Sequence, residues 1–234
     1  MKFDPLQDDA SIHRPENHVI GWRPIVERWR LRAVERIFRD SERRQVQGLP
    51  IRLTDRGIWV PTPFPVLVAL LRATKAQRLF EFRGAGRKTI LDAGAGDGRV
   101  LAALAYFEPE LDVVGIESDE RLCRLAAANL EKLKRRALVD RPERLRLGRG
   151  DYRLAATYES SGIRLEDVAF VYNYPDGNQD ELERFIIERC APGAKLCLLT
   201  HDRELRLSKL ELTSKEPIPT ADSASGWHWS VYST

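Results

Sequence analysis

Cysteine is scarce. Cys123, Cys190 and Cys197 stand far apart, with no CxxC pair and no Cys/His ligand spacing, so neither a metal site nor a disulfide framework is indicated and a reducing, cytoplasmic compartment is expected. Long apolar runs are missing too. The opening MKFDPLQDDASIHRPENH holds no apolar signal core, and no later segment approaches roughly 18 uninterrupted apolar residues, so neither secretion nor a membrane span is expected. No GxxxxGK[ST] phosphate loop occurs, which removes support for nucleoside triphosphate hydrolysis. An excess of one charge is also lacking. Lys and Arg number 38 against 35 Asp and Glu, a formal net charge of +3, and the signs are interspersed, so bulk charge gives little reason to expect a nucleic-acid partner.

What is present fits a soluble globular chain: 43% of the 234 residues are hydrophobic and 31% charged, enough for one α/β domain with an extension. Residues 1–19 are polar and aperiodic and read as a flexible N-terminal arm. Residues 20–77 read as a helical N-terminal extension and lead-in. Within them Ile25, Val26, Trp29, Ala33 and Ile37 recur at helical spacing, predicting an amphipathic helix from Trp22 to about Gln45 that packs on its own domain. IRLTDRGIWVPTPFP follows as a short extended or irregular segment, and Val66 to about Gln77 as a buried helix.

Residues 78–234 read as the core. Strand-like runs at 88–93, 112–117, 144–148, 167–172 and 194–200 alternate with helical patterns near 98–107, 119–136 and 178–190, the signature of βαβ units. LRLSKLELTSK and WHWSVYST, joined by PIPTADSASG, read as a terminal antiparallel hairpin. The expected fold is an α/β doubly wound, seven-stranded, mostly parallel sheet with that C-terminal hairpin and an N-terminal helical extension.

The informative stretch is TILDAGAGDGRV, Thr89 to Val100. A strand ending at Ala93, a turn holding Gly94, Gly96 and Gly98, and a helix form the doubly wound nucleotide-binding arrangement, with the ligand outside the carboxyl ends of the strands. Arg99 stands where the third glycine of GxGxxG belongs, which disfavours a dinucleotide. VVGIESD ends at Glu117, about twenty residues on, where an acid can accept hydrogen bonds from both hydroxyls of a ribose; a solvated acid at a helix start is the plainer alternative. In GRGDYR, Asp151 falls just after the third strand, although Gly-Asp there is also common turn chemistry.

With Asp92 before it, AGAGDG resembles the first motif of the class I S-adenosylmethionine-dependent methyltransferases. The resemblance implies S-adenosylmethionine as cofactor, with Gly94, Gly96 and Gly98 giving close backbone approach. It also implies Asp92 and Asp97 as a carboxylate rim for the ammonium and sulfonium, Glu117 on the ribose, Asp151 at the adenine amino group and Tyr152 beside the ring. From Trp59 to Asp202, VPTPFPVLVALL, DAGAGDGR, GIESD, GRGD and YNYPDGNQDELERF are similar to the non-SET lysine methyltransferases, the disruptor-of-telomeric-silencing histone enzyme and its smaller archaeal and mitochondrial relatives. That similarity implies that Asn173 is the asparagine following the fourth strand and that Thr62 lies near the methionine end of the donor. The helix with Trp22 and Trp29 does not match the histone enzyme, and no long basic tail is present, so a histone substrate is not expected. Asn173-Tyr174-Pro175-Asp176 only loosely echoes the Asn-Pro-Pro-aromatic motif of base methylation, so a nucleic-acid acceptor is not expected either.

The implied chemistry is an in-line methyl transfer to an amine, accelerated mainly by positioning. A lysine must be neutral to react, and near pH 7 an exposed one is so only about one time in a thousand, a deficit of roughly 4 kcal/mol. An apolar channel lined by Tyr172 and Tyr174 would offset part of it. Asn173, Tyr174 and Asp176 are the catalytic candidates: Asn173 as orienting amide, Asp176 as proton acceptor. The alternative is a simple turn over 174–177 with Asn178 capping the next helix. Methylation of a small metabolite, or donor binding without catalysis, remain open alternatives. A wide, acidic cleft mouth would favour a protein lysine; a closed apolar pocket roofed by 20–47 would favour a small molecule. His13 and His18 lie in the arm; His201, beside Asp202, is a candidate base or pocket wall; His228 reads as structural, alternation turning it away from Trp227 and Trp229.

Overall fold

The computed structural model describes residues 22–45, 52–54, 57–82, 88–201, 205–218 and 226–233. The N-terminal arm, Asp202, the side chain of His201 and most of the PIPTADSASG connection lie outside the described residues.

In chain order the elements are α1 (Trp22–Gln45), β1 (Arg52–Thr54), β2 (Gly57–Trp59), α2 (Phe64–Ala76), β3 (Thr89–Ala93), α3 (Arg99–Phe107), β4 (Asp112–Glu117), α4 (Glu120–Arg135), β5 (Leu145–Arg149), α5 (Ala155–Ser160), β6 (Val168–Asn173), α6 (Gln179–Arg189), β7 (Lys195–His201), β8 (Glu211–Pro217) and β9 (Trp227–Ser233). Seven strands form one sheet in the order β5-β4-β3-β6-β7-β9-β8. The first five run parallel, and β9 inserts antiparallel between β7 and β8. This is the doubly wound, mostly parallel sheet with a C-terminal hairpin that the alternation implied. β1 and β2 pair separately as a small antiparallel ribbon.

Strand residues alternate between two cores because successive side chains point to opposite faces. Ile90, Val113, Phe170 and Trp229 join Leu67 and Leu70 of α2 and Leu101 and Leu104 of α3 on one face. Leu91, Val114, Val171 and Leu198 join Tyr158 of α5 and Leu182 and Ile186 of α6 on the other. Each such side chain, fully buried, contributes about 1.5–3 kcal/mol relative to exposure. Strand β8 closes the sheet with Glu211, Lys215, Glu216 and Pro217 exposed.

Helix α2 begins two residues earlier than the sequence suggests, because Pro65 sits in its first turn, where a missing N–H leaves no bond unmade. Helix α1 packs as expected, but with a different stripe: Val34, Ile37 and Phe38 are buried, whereas Val26 and Trp29 are 49% and 66% exposed. Trp29 is five residues from Val34 and so roughly 140° around the helix. The Phe38 and Phe64 rings stack at 6.3 Å. Arg30 anchors α1 through Asp140 at 2.6 Å, and the Tyr106 hydroxyl donates to the Glu27 carbonyl at 2.9 Å.

Candidate functional site

The register sets the ends of three strands side by side, with Ala93 opposite both Ile116 of β4 and Asn173 of β6. β3 is where the chain turns from building one half of the sheet to the other, and a crevice opens outside its carboxyl end. The cleft there spans about 900 Å³ when the open solvent at its mouth is counted. Gly94, Asp97, Glu117, Asp151, Tyr152, Asn173 and Tyr174 line it, under a roof of Trp59, Val60, Pro61 and Thr62. The roof is the segment after β2; no described residue of α1 contributes to the lining.

The glycines serve different needs. Gly98, just before α3, has φ +83°, a left-handed conformation that costs other residues roughly 1–2 kcal/mol. At Gly96 a Cβ would stand 2.2 Å from Trp59 Nε1, so the indole occupies the space a side chain would take. Gly94 faces the cleft, and a Cβ there would meet nothing within 4 Å. Gly96 and Gly98 support the loop without lining the cleft.

Glu117 ties that loop to the tip of β4. Its Oε2 accepts from Gly96 N at 2.7 Å and its Oε1 from Asp119 N at 2.8 Å. Burial raises its pKa, opposed by these backbone donors. A carboxylate offers about four acceptor sites, so each oxygen keeps a lone pair for a diol.

The three other acids differ from one another. Asp92 stops one residue short of the cleft lining and is 1% exposed. Its Oδ2 has no partner among the described residues. Burial holds its carboxyl well above the ordinary range, and the charges of Glu117 and Asp97 push the same way. Asp97 departs from the expected free rim: Arg99 grips it through Nε at 2.9 Å and Nη2 at 2.6 Å. The same guanidinium donates to the Thr62 carbonyl at 2.9 Å and to Glu42 of α1 at 2.5 Å, and lies over the Phe38 ring. Asp151 is held likewise by Arg153, at 2.9 and 2.8 Å. Each acid is thus paired with an arginine two residues on. The sequence marks Arg99 only as a departure from GxGxxG and leaves Arg153 unremarked, although the repeated Asp-x-Arg spacing lets the guanidinium fold back on its own carboxylate.

At the other end of the cleft stands the tip of β6. Asn173 is 1% exposed; its Nδ2 donates to the Ala93 carbonyl at 2.7 Å, while Oδ1 has no partner among the described residues. Tyr172 is buried, and its hydroxyl too is unpartnered among the described residues. Tyr174 leans against Trp227, centroids 6.2 Å apart. Asp176 accepts the Tyr152 hydroxyl at 2.6 Å and Asn178 N at 3.0 Å; burial, then this carboxylate, raises the Tyr152 pKa. Asn178 does sit at the start of α6, but its side chain makes no cap; Oδ1 accepts from Arg153 at 3.0 Å instead. His228 bonds the Gly226 carbonyl through Nδ1 at 2.9 Å.

The chain matches no protein-family model and no curated protein. Solved structures share its architecture. An RNA methyltransferase from Salinibacter ruber, in complex with S-adenosyl-L-homocysteine, is 19% identical with a TM-score of 0.50, over 74% of this chain and 93% of that one. The rRNA methyltransferase aviRa from Streptomyces viridochromogenes is 15% identical with a TM-score of 0.55, over 80% and 90%. A Klebsiella pneumoniae protein assigned as an O-methyltransferase is 15% identical with a TM-score of 0.53, over 90% and 96%. At these identities the likeness is one of architecture, and the chain has the Rossmann-like fold of the class I methyltransferases.

Proposed function

We propose that the protein is an S-adenosylmethionine-dependent methyltransferase whose acceptor is a nitrogen bearing hydrogen. The carrying observation is Asn173: its amide nitrogen is spent on the Ala93 carbonyl and its oxygen is left as an unpartnered acceptor at the cleft wall.

The residues fit the donor. Glu117 would take the ribose, Gly94 would let the chain of the donor pass, Asp151 and Tyr152 would flank the adenine, and Thr62 and Asp92 would serve its methionine end. Bound there, the donor supplies an electrophilic methyl group. The work of the protein is then orientation: Asn173 Oδ1 takes one hydrogen of the acceptor nitrogen and so aims its lone pair. Tyr172 and Tyr174 supply a weakly polar wall that favours the neutral amine. Asp176 retains lone pairs to accept the released proton directly or through water. A nitrogen needs only this orientation, whereas a hydroxyl needs a base as it reacts.

A protein lysine is the acceptor that the YNYPDGN resemblance supports, and RNA is the one that the named substrates of two structural neighbours support. Incubation with methyl-labelled donor and a lysate split into protein, nucleic-acid and small-molecule fractions tests the reading. Label on nitrogen, lost about a hundredfold in rate in N173A, is the expected result. Donor binding without transfer to any fraction would make the protein a donor-binding regulator instead.

A further inference from the structure

The charge of this molecule is not spread evenly. Helix α1 alone holds eight arginines and four carboxylates, while the entire chain amounts to only +3. The excess positive charge therefore sits on one element. Its arrangement is ordered. Arg28, Arg32, Arg36, Arg39 and Arg43 are all exposed, and steps of four, four, three and four residues put them within an arc of about 80°, along about 22 Å of helix. They lie opposite the buried Val34, Ile37 and Phe38. Arg30, off this face, is taken by Asp140, and Arg39 pairs with Glu35 on the surface. The other four form no salt bridge with a described residue, although Asp40 shares a depression with Arg43. Guanidiniums set in a row repel one another, and a polyanion with regularly spaced phosphates relieves that repulsion by bidentate hydrogen bonds.

Two observations select the polyanion. The apolar face of α1 that holds Val34, Ile37 and Phe38 is occupied by its own core, which leaves Val26 and Trp29 as its exposed apolar side chains among the described residues, short of the continuous apolar face that an interfacial helix buries in lipid. Trp29, beside Arg28 and Arg32, is 66% exposed. An indole flanking a row of guanidiniums is a platform for an unpaired base, which stacks on it while the arginines hold the backbone. The stripe also leads to the cleft: Arg39 and Glu42 share a depression with Pro61 and Arg99, and both of these line the cleft.

We infer that the solvent face of α1 is a docking surface for RNA with unpaired bases, held by Arg28, Arg32, Arg36 and Arg43 through its phosphates and by Trp29 through stacking. The strand then passes Pro61 into the site. This last step rests on the methyltransferase reading; the docking does not.

The test is fluorescence anisotropy of a labelled, unstructured 20-nucleotide RNA with the full chain, over a salt series. Duplex RNA and vesicles containing 30% phosphatidylserine serve as competitors, and donor affinity is measured by calorimetry in parallel. The wild-type protein should bind the single strand best. R28Q/R32Q/R36Q/R43Q should lower affinity at least tenfold and flatten the slope of log K against log salt by about 3, since each phosphate contact on a single strand contributes about 0.7. W29A should cost about tenfold on the single strand and little on the duplex, whose bases are already stacked. Both variants should keep wild-type donor affinity and melting temperature. Unchanged RNA affinity in the quadruple variant or in W29A, or preferential competition by the vesicles, overturns the proposal. Loss of donor binding in the wild-type chain would instead sink the methyltransferase reading and leave the docking intact.

Discussion

Asp92 is a buried carboxyl whose pKa is raised by burial and then by Glu117 and Asp97. The folded state thus holds a proton more tightly than the unfolded chain. Stability falls as pH rises from the ordinary carboxylate range through the raised value, the native state being the one with more protons bound. D92N removes the group, so its melting temperature should lack that downward slope and exceed that of the wild type at pH 8. If the donor ammonium approaches Asp92, it favours the ionised form and binding releases a proton. Calorimetry in buffers of different ionisation heat should show it, and identical heats would take Asp92 out of the site. Glu117 makes a different prediction. E117Q sets an amide NH₂ against the backbone N–H of Gly96 or Asp119, donor facing donor, at a cost of about 1–3 kcal/mol, with weaker donor binding in the same titration. Arg99 compensates a carboxylate that water does not reach. R99L should cost about 3–5 kcal/mol in urea unfolding, and D97N/R99L should recover much of that, because an uncompensated buried charge is worse than none.

At the scale of elements, the β1–β2 ribbon and the 60–62 segment act as a roof fastened from two sides, by Trp59 against Gly96 and by Arg99 on the Thr62 carbonyl. G96A should therefore push the indole away and weaken donor binding. Adding W59A should restore part of the affinity while leaving the strain of a non-glycine residue at φ +55°, about 1 kcal/mol. The strands of the parallel sheet were legible within a residue or two, because most are apolar runs closed by glycine or a polar side chain. Glu117 and Asn173 were legible for the same reason, since both end such runs. The roof was not. Trp59 and Thr62 belong to a proline-punctuated stretch with no period, and only tertiary contact gives it a shape. The Asp97–Arg99–Glu42 link was hidden for a related reason: its members lie 57 residues apart at the extremes, and nothing local marks the partner in α1. Trp29 was misplaced by treating an apolar residue as a packed one, although its phase differs from that of Val34.

Over the whole molecule, averaging concealed what mattered. A net charge of +3 described no actual surface, because α1 holds the excess and the remainder nearly cancels. The thiols offer a global readout. Burial pushes Cys190 and Cys197 up to about 12, and at pH 8 the thiolate that would react is then present at about one part in ten thousand. A disulfide reagent should therefore modify the buried Cys197 only as the fold opens, at a rate that tracks unfolding; rapid modification of that thiol in the native state would contradict its burial.

Strand β8 has its own consequence. An unpaired sheet margin invites a second chain to continue its ladder, and at this end of the sheet β8 presents Glu211, Leu212, Lys215 and Glu216, then Pro217, which has no N–H to offer. Charged side chains that would lose water on pairing, and a missing donor, resist such growth. The protein should tolerate being concentrated without forming intermolecular β-structure, and replacing Lys215 and Glu216 by valine should be enough to start it.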